Sequence, residues 1–410
     1  MRQIKLTAPT DTIGAVITLP SSKSICNRAL IINALSKGKD TIDNLSDCDD
    51  TRVMLQAIQN RPETIDIKAA GTAMRFLTAF LSVTDGEHML TGTERMKQRP
   101  IRILVDALRT LGADINYTET EGYPPLHIKG RTLDRSEVSL PGNVSSQYIS
   151  ALLLIGPMLQ KGLRLTLTGE IISRPYINLT LQLMHQFGAE ANWNSENQLE
   201  VKAQPYQSIP FSVESDWSAA SYWYEIAALS SQATITLPAL SSASFQGDSK
   251  VAALFADLGV ETLFQQDQVI LRKTRCKLDR MEYNFVNEPD LAQTFVVTCA
   301  LLNIPFRFSG LQSLKIKETD RISALKTELR KLGFLLTEAE GSILMWNGER
   351  CTPDSHPAID TYEDHRMAMA FAPAAIHFKE IIINNPQVVS KSYPHYWENL
   401  KAAGFGIMEE

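Results

Sequence analysis

The stretch Leu314-Lys315-Ile316-Lys317-Glu318-Thr319-Asp320-Arg321-Ile322-Ser323-Ala324-Leu325, closing on Leu329-Arg330-Lys331-Leu332-Gly333-Phe334, decides how the rest of the chain is read. Its apolar residues Ile322, Leu325, Leu329 and Leu332 recur at helical spacing, and Gly333 is a natural stop. A strand is therefore expected to run into a helix that starts near Thr319, a good N-cap type. Lys317 and Arg321, four apart, then share a face. Like charges so placed cost about 0.2–0.5 kcal/mol, a cost that an anion at the helix N-terminus reverses. Glu318 between them is a candidate acid or base. Taken alone, the run favours a solvated charged turn.

Working outward, the same helix ending recurs. Leu111-Gly112, Phe187-Gly188, Leu258-Gly259, Leu332-Gly333 and Ala403-Gly404 each close an apolar-periodic segment, and the glycines lie 76, 71, 74 and 71 residues apart. Each fits a helix C-cap, where a left-handed backbone costs Gly little. That period is too long for a solenoid and suggests a small α/β unit used several times. A further copy around Met54 to Ile58 lacks the Leu-Gly ending, and Gly71 follows quickly, so that copy reads as truncated.

Composition narrows the class. The chain has 410 residues, 44% apolar and 21% charged, with a net charge of −6. That is long enough for two or three domains with real cores, and the acidity argues against general nucleic-acid binding. The apolar run Ile149 to Leu159 is broken by Ser150, Gly156 and Pro157, so no membrane segment is expected. Met1-Arg2-Gln3-Ile4-Lys5-Leu6 lacks a signal-peptide core, and Cys26, Cys48, Cys276, Cys299 and Cys351 have no metal spacing. A reducing, cytoplasmic location is expected.

Despite the acidity, helix starts in both halves carry Ser, Thr, Lys or Arg. Pro20-Ser21-Ser22-Lys23-Ser24-Ile25-Cys26-Asn27-Arg28 opens one helix, with Ser22 or Ser24 as its cap; Lys68-Ala69-Ala70-Gly71-Thr72-Ala73-Met74-Arg75 opens another, with Thr72 as a cap. Arg95-Met96-Lys97-Gln98-Arg99-Pro100 is a basic loop. Ser145-Ser146-Gln147 and Ser173-Arg174 place hydroxyls where phosphate binds well, although simple capping explains them about equally. Asn287-Glu288-Pro289-Asp290 puts a carboxylate at a helix start, and a lone Asp there serves the helix dipole first. Asp364-His365-Arg366 and Ser390-Lys391 add two cations; His365 has no second His or Cys at ligand spacing, so no metal is expected. If these ends converge they make a deep anion site, suited to substrates carrying several phosphates or carboxylates.

Lys23-Ser24 with Asn27-Arg28, Gly71-Thr72-Ala73-Met74-Arg75, Arg95-Met96-Lys97, Ser145-Ser146-Gln147, Lys317-Glu318-Thr319-Asp320-Arg321 and Asp364-His365-Arg366-Met367-Ala368-Met369 occur in the order found in one family. Nearly end to end, the chain resembles the 5-enolpyruvylshikimate-3-phosphate synthases. The resemblance implies an α/β fold of two domains, an inside-out α/β barrel with three βαβαββ units in each, the first unit here truncated. Residues 1–21 with 215–410 would form one domain and 22–214 the other, joined by crossovers near Pro20-Ser21 and Glu214-Ser215. Phosphoenolpyruvate and shikimate 3-phosphate would meet in the cleft between them. It implies no cofactor and no metal, no nucleic-acid or membrane partner, and a monomer.

By the same resemblance, Lys23, Ser24 and Arg28 bind the shikimate side, and Lys23 also reaches phosphoenolpyruvate. Ser145, Ser146 and Ser173 hold the shikimate phosphate, and Gln147 touches both ligands. Gly71, Arg95, Arg321, Arg366 and Lys391 hold phosphoenolpyruvate, Lys317 binds shikimate 3-phosphate, and Ser313 stands where an Asn often contacts substrate. Asp290 takes the proton from the attacking 5-hydroxyl, and Glu318 protonates the methylene carbon and later removes a proton there. Ser21, Ala69, Phe76 and Ser313 depart from the family's usual Gly, Asn, Pro and Asn. Gly71 suggests that glyphosate competes with phosphoenolpyruvate. The nearest rival, the transferase that uses UDP-N-acetylglucosamine, has Lys-Asn in place of Lys23-Ser24 and a reactive loop cysteine; here no cysteine lies between Cys48 and Cys276. A non-catalytic anion-binding protein would explain the basic helix starts but not Asp290 and Glu318.

Overall fold

Helices that are apolar all the way round have no face to show to water and belong inside a domain. Several here meet that description. Every residue of Gly71–Ser82, Ala292–Leu301 and His365–Phe371 is buried, as is Ser146–Ile155 from Tyr148 onward. Hydroxyls on these helices satisfy themselves by bonding back one turn: Thr78 to the Met74 carbonyl (2.6 Å), Ser82 to Thr78 (2.7 Å), Thr298 to Thr294 (2.7 Å). Strands such as Leu163–Thr168 and Ala233–Pro238 instead alternate buried with more exposed positions, as sheets with one face on a core do.

The computed structural model describes residues 2–9, 12–38 and 40–409. The chain forms two compact units, Met1–Pro20 with Glu214–Glu410, and Ser21–Val213, each with its own apolar core.

One sheet pattern repeats. In the first unit, Met281–Asn284 pairs parallel with Phe306–Ser309, which pairs antiparallel with Ile343–Trp346, which pairs antiparallel with Thr337–Ala339. Ile13–Val16 starts a second such sheet through Ala233–Pro238, Gln268–Lys273 and Val260–Gln265. The third runs Ala358–Ile359, Glu380–Asn384, Gln3–Thr7, Gly406–Glu409. The N-terminal strand thus fills the third place in the last sheet, with Leu6 opposite Ile381. In the second unit, Thr64–Asp66, Glu87–Thr91, Leu126–Lys129, Asp114–Tyr117 and Glu137–Pro141, Leu163–Thr168, Gln198–Val201, Ala191–Ser195 repeat the order. The remaining sheet there is only the parallel pair Ile42–Asp43 with Phe211–Ser212, which is the truncated first copy.

The spaced glycines close these units as expected. Gly112, Gly188, Gly259, Gly333 and Gly404 all have positive φ, from 81° to 106°. At four of them the paired bonds of a Schellman ending are present, for instance Gly333 N–H to Arg330 O and Phe334 N–H to Leu329 O, 3.0 and 2.9 Å. The truncated copy ends its helix Asp49–Asn60 on Arg61, at φ 42°, without a glycine.

Three local expectations need correction. The helix after Lys317 runs Arg321–Lys331, and its cap is Asp320, whose carboxylate accepts from Ser323 N–H at 3.1 Å, not Thr319. The strand Phe306–Ser309 does not run straight into it: the 3-10 turn Gln312–Ile316 comes between them. The helix at Gly71 is capped from Ala70, one residue before the glycine, and the Thr72 hydroxyl instead accepts from Gln147 at 3.1 Å. Among the described residues, no helix is long and apolar enough to cross a membrane.

Candidate functional site

In the first unit, one carboxylate gathers three cations. The 3-10 turn Pro289–Leu291 sets Asp290 at the head of the buried helix Ala292–Leu301. Its Oδ1 lies 3.4 Å from Lys317 Nζ and 3.3 Å from an Arg321 terminal nitrogen, and its Oδ2 accepts from Arg366 at 2.9 Å. Burial works to raise the Asp290 pKa, but Arg366, Lys317 and Arg321 together outweigh it and Glu318, and hold the carboxyl well below the usual range. Lys317 and Arg321 do meet at Asp290, but not on one helix face as the spacing suggested, since Lys317 lies outside the helix. They meet there because the chain turns at Lys317 before the helix begins.

Arg321 is the centre of this cluster. Its side chain is 2% exposed. Asp364 grips it from both oxygens, 2.7 Å to Nε and 3.3 Å to a terminal nitrogen, and Glu318 accepts at 2.9 Å. With its amide oxygen turned inward, Gln293 adds contacts of 2.8 and 3.1 Å. Burial favours a neutral guanidinium, but Asp364, Glu318 and Asp290 overcome it and lock the positive charge in place. Asp364, itself fully buried, also caps the helix His365–Phe371 by accepting from Arg366 N–H at 2.9 Å. Lys391 joins through the Glu363 carbonyl at 2.6 Å. Ser313 sits half-buried in the Gln312–Ile316 turn.

In the second unit, four helix starts are tied together. Arg28 is buried and donates to the Thr180 hydroxyl (2.7 Å), the Ser24 carbonyl (2.8 Å), Ser150 (3.1 Å) and the Tyr176 carbonyl (3.3 Å), with Phe76 beneath it. Burial draws its pKa down to about 10. Arg28 therefore binds together the helices Lys23–Ser36, Ser146–Ile155 and Arg174–Gln186. Lys23 pairs with Asp50 at 3.3 Å. Ser145 caps its helix through Gln147 N–H (3.3 Å), and Gln147 reaches Thr72. Ser173 stands apart: it is buried, has φ 54°, and does not cap its own helix with its hydroxyl.

Gly71 is covered by a residue the sequence reading passed over. A Cβ there would stand 2.7 Å from an Arg99 terminal nitrogen. Arg99 is half-buried over the helix start, whereas Arg95 is exposed on the short helix Glu94–Lys97. The available signal was Pro100, whose carbonyl accepts from both Arg75 (3.3 Å) and Tyr148 (2.6 Å) and so fixes the end of the loop that carries Arg99. Asp364 was also missed as a partner for Arg321, because its distance of 43 residues leaves no local pattern. Among the described residues, no group of three or more His, Cys, Asp or Glu is arranged to hold a metal ion.

The repeated sheet order with buried central helices, and cations collected around two carboxylates, define an enolpyruvyl transferase fold. The structure superposes on the enolpyruvyl transferase NikO from Streptomyces tendae with a TM-score of 0.73 at 14% identity, covering 100% of this chain and 99% of that one. EPSP synthase from Acinetobacter baumannii gives 0.79 at 21% identity over the whole of both chains. The sequence profile described as EPSP synthase (3-phosphoshikimate 1-carboxyvinyltransferase) matches residues 7–61 and 59–400. A 3-phosphoshikimate 1-carboxyvinyltransferase of Bacteroides fragilis is 65% identical over 402 residues, 98% of each chain. That of Vibrio vulnificus is 38% identical over 96% of this chain and 97% of its own. The chain belongs to the EPSP synthase family.

Proposed function

We propose that this chain transfers the enolpyruvyl group of phosphoenolpyruvate to the 5-hydroxyl of shikimate 3-phosphate and releases phosphate, as a monomeric cytoplasmic enzyme of the shikimate pathway leading to aromatic amino acids. The observation that carries this reading is the family match from residue 7 to residue 400, which takes in both Asp290 and Glu318 with their cations. We take residues 1–21 with 215–410 and residues 22–214 as its two domains, each contributing groups to substrate binding.

The chemistry follows from what each group does to charge. Arg321, Arg366, Lys391 and the loop cation at Gly71 take the carboxylate and phosphate of phosphoenolpyruvate; Arg99 is better placed for that last role than Arg95. Ser145, Ser146 and Ser173 take the shikimate phosphate, with Lys23, Ser24, Arg28, Gln147, Lys317 and Ser313 around the ring. Incoming anions compete with Asp290 for its three cations. As they take over, the forces that depress its pKa weaken, and Asp290 becomes a competent base for the 5-hydroxyl. Glu318 gives a proton to the methylene carbon while the hydroxyl oxygen bonds to its neighbour. The carbon–oxygen bond to phosphate then breaks, Glu318 recovers its proton, and the proton held on Asp290 leaves with phosphate. Cations around that phosphate act most strongly as its charge develops.

Purified protein given phosphoenolpyruvate and shikimate 3-phosphate should release phosphate and form the enol ether. Release with UDP-N-acetylglucosamine in place of shikimate 3-phosphate, or none with either, would overturn the assignment.

A further inference from the structure

The turn that delivers Asp364 is strained and is bolted to the Arg321 helix at both ends. Tyr362 and Glu363 have φ of 52° and 56°. Neither is among the residue types that tolerate the left-handed region, so a free loop would leave this conformation. Such backbone persists only where its surroundings over-determine it.

At one end the clamp is Asp364 on Arg321, 2.7 and 3.3 Å. At the other it is Glu328, two turns along the same helix and wholly buried. Glu328 Oε1 accepts the Tyr362 phenol at 2.6 Å, and Oε2 accepts Asp360 N–H at 3.1 Å and the Lys331 ammonium at 2.7 Å. Lys331 also holds the Asp360 carboxylate and the Ala358 carbonyl, both at 2.9 Å. Burial first, then the Glu328 carboxylate, raises the Tyr362 pKa, so the hydroxyl remains a donor.

What the turn carries gives it its importance. Asp364 orients Arg321 by its side chain and starts the Arg366 helix by capping it. The Glu363 carbonyl receives Lys391. Three cations therefore take their positions from two adjacent left-handed residues and the aspartate that follows.

We infer that Glu328 and Tyr362 are positioning residues for the phosphoenolpyruvate site: they hold the 361–364 turn in its left-handed form and so aim Arg321, Arg366 and Lys391 together at one anion. The identity of that anion rests on the function proposed above; the clamp itself does not.

The test uses Tyr362→Phe, which keeps the ring and removes only the hydroxyl, and the double variant Tyr362→Phe/Glu363→Gly. Losing a hydrogen bond to a charged partner should raise KM for phosphoenolpyruvate about tenfold, with kcat and KM for shikimate 3-phosphate within about twofold. Amide hydrogen exchange over 363–366 should quicken by a similar factor. Glycine at 363 takes the left-handed backbone without steric cost, so the double variant should recover both values. Unchanged KM and exchange in Tyr362→Phe would overturn the inference. So would a rise shared equally by both substrates, or a defect that glycine does not relieve. If the wild-type protein releases no phosphate, the functional reading fails, and exchange still decides the clamp.

Discussion

Replacing Asp290 by Asn separates what this carboxylate does for the resting protein from what it does in turnover. It accepts from Lys317, Arg321 and Arg366 at 3.4, 3.3 and 2.9 Å. Hydrogen bonds to charged groups contribute about 1.5–3 kcal/mol each. An entering anion must replace at least one such contact, so Asp290 acts as an internal competitor. Asn keeps one carbonyl oxygen as acceptor but loses the charge. Removing one contact's worth of competition corresponds to roughly tenfold tighter binding of phosphoenolpyruvate or inorganic phosphate. Turnover should move the other way, down about 10²–10⁴-fold, because the 5-hydroxyl loses its base. Stability should fall as well. A carboxyl whose folded pKa is depressed contributes stability above its ordinary pKa, and that contribution is lost as pH falls through the folded value. The gap in melting temperature between wild type and Asp290→Asn should therefore be widest near neutrality and close in acid. Calorimetric titration with phosphoenolpyruvate alone, beside phosphate-release kinetics, reads both effects. A folded variant that binds the anion no better than wild type and turns over normally would refute the reasoning.

Other outcomes follow from the same geometry. Glu318→Gln should still bind both substrates and lose turnover by about 10²–10⁴-fold; near-normal rates would remove Glu318 from its proton-transfer role. Gly71→Ala puts a methyl 2.7 Å from the flexible tip of Arg99, so stability should change by less than about 0.5 kcal/mol while KM for phosphoenolpyruvate rises; an unchanged KM would show that Arg99 does not serve that ligand. Glu225 is wholly buried, and desolvation, opposed only weakly by Thr298, pushes its pKa well above 4.5. The folded state then retains a proton that the unfolded state has lost, so stability falls by about 1.4 kcal/mol per pH unit as pH rises above 4.5 toward the folded pKa. Denaturant melts of Glu225→Gln across that range should lack this slope; an identical slope in both proteins would place the titration elsewhere.

Local patterns carried a large part of the architecture. The left-handed ending at Gly112, Gly188, Gly259, Gly333 and Gly404 is a backbone requirement that only a few residue types meet, so it shows in sequence and exposes the repeat. At Arg61 the same left-handed ending is made without a glycine, so the short copy carries no Leu-Gly signal in the sequence. The start of the Arg321 helix was misjudged by one residue because Thr319 and Asp320 are both good caps, and only the backbone geometry chooses between them.

The sequence by itself determined which side chains were available: cations at helix starts in an acidic chain, and two carboxylates among them. Those residue types at those spacings follow from chemistry that acts within a few residues of chain. Only the tertiary structure decided how they are paired. Asp290 collecting Lys317, Arg321 and Arg366, Asp364 gripping Arg321, and Arg99 rather than Arg95 lying on Gly71 are contacts between segments up to 76 residues apart. Such pairings depend on how buried helices pack and where turns such as Tyr362-Glu363 are forced to go, and no periodicity along the chain records them.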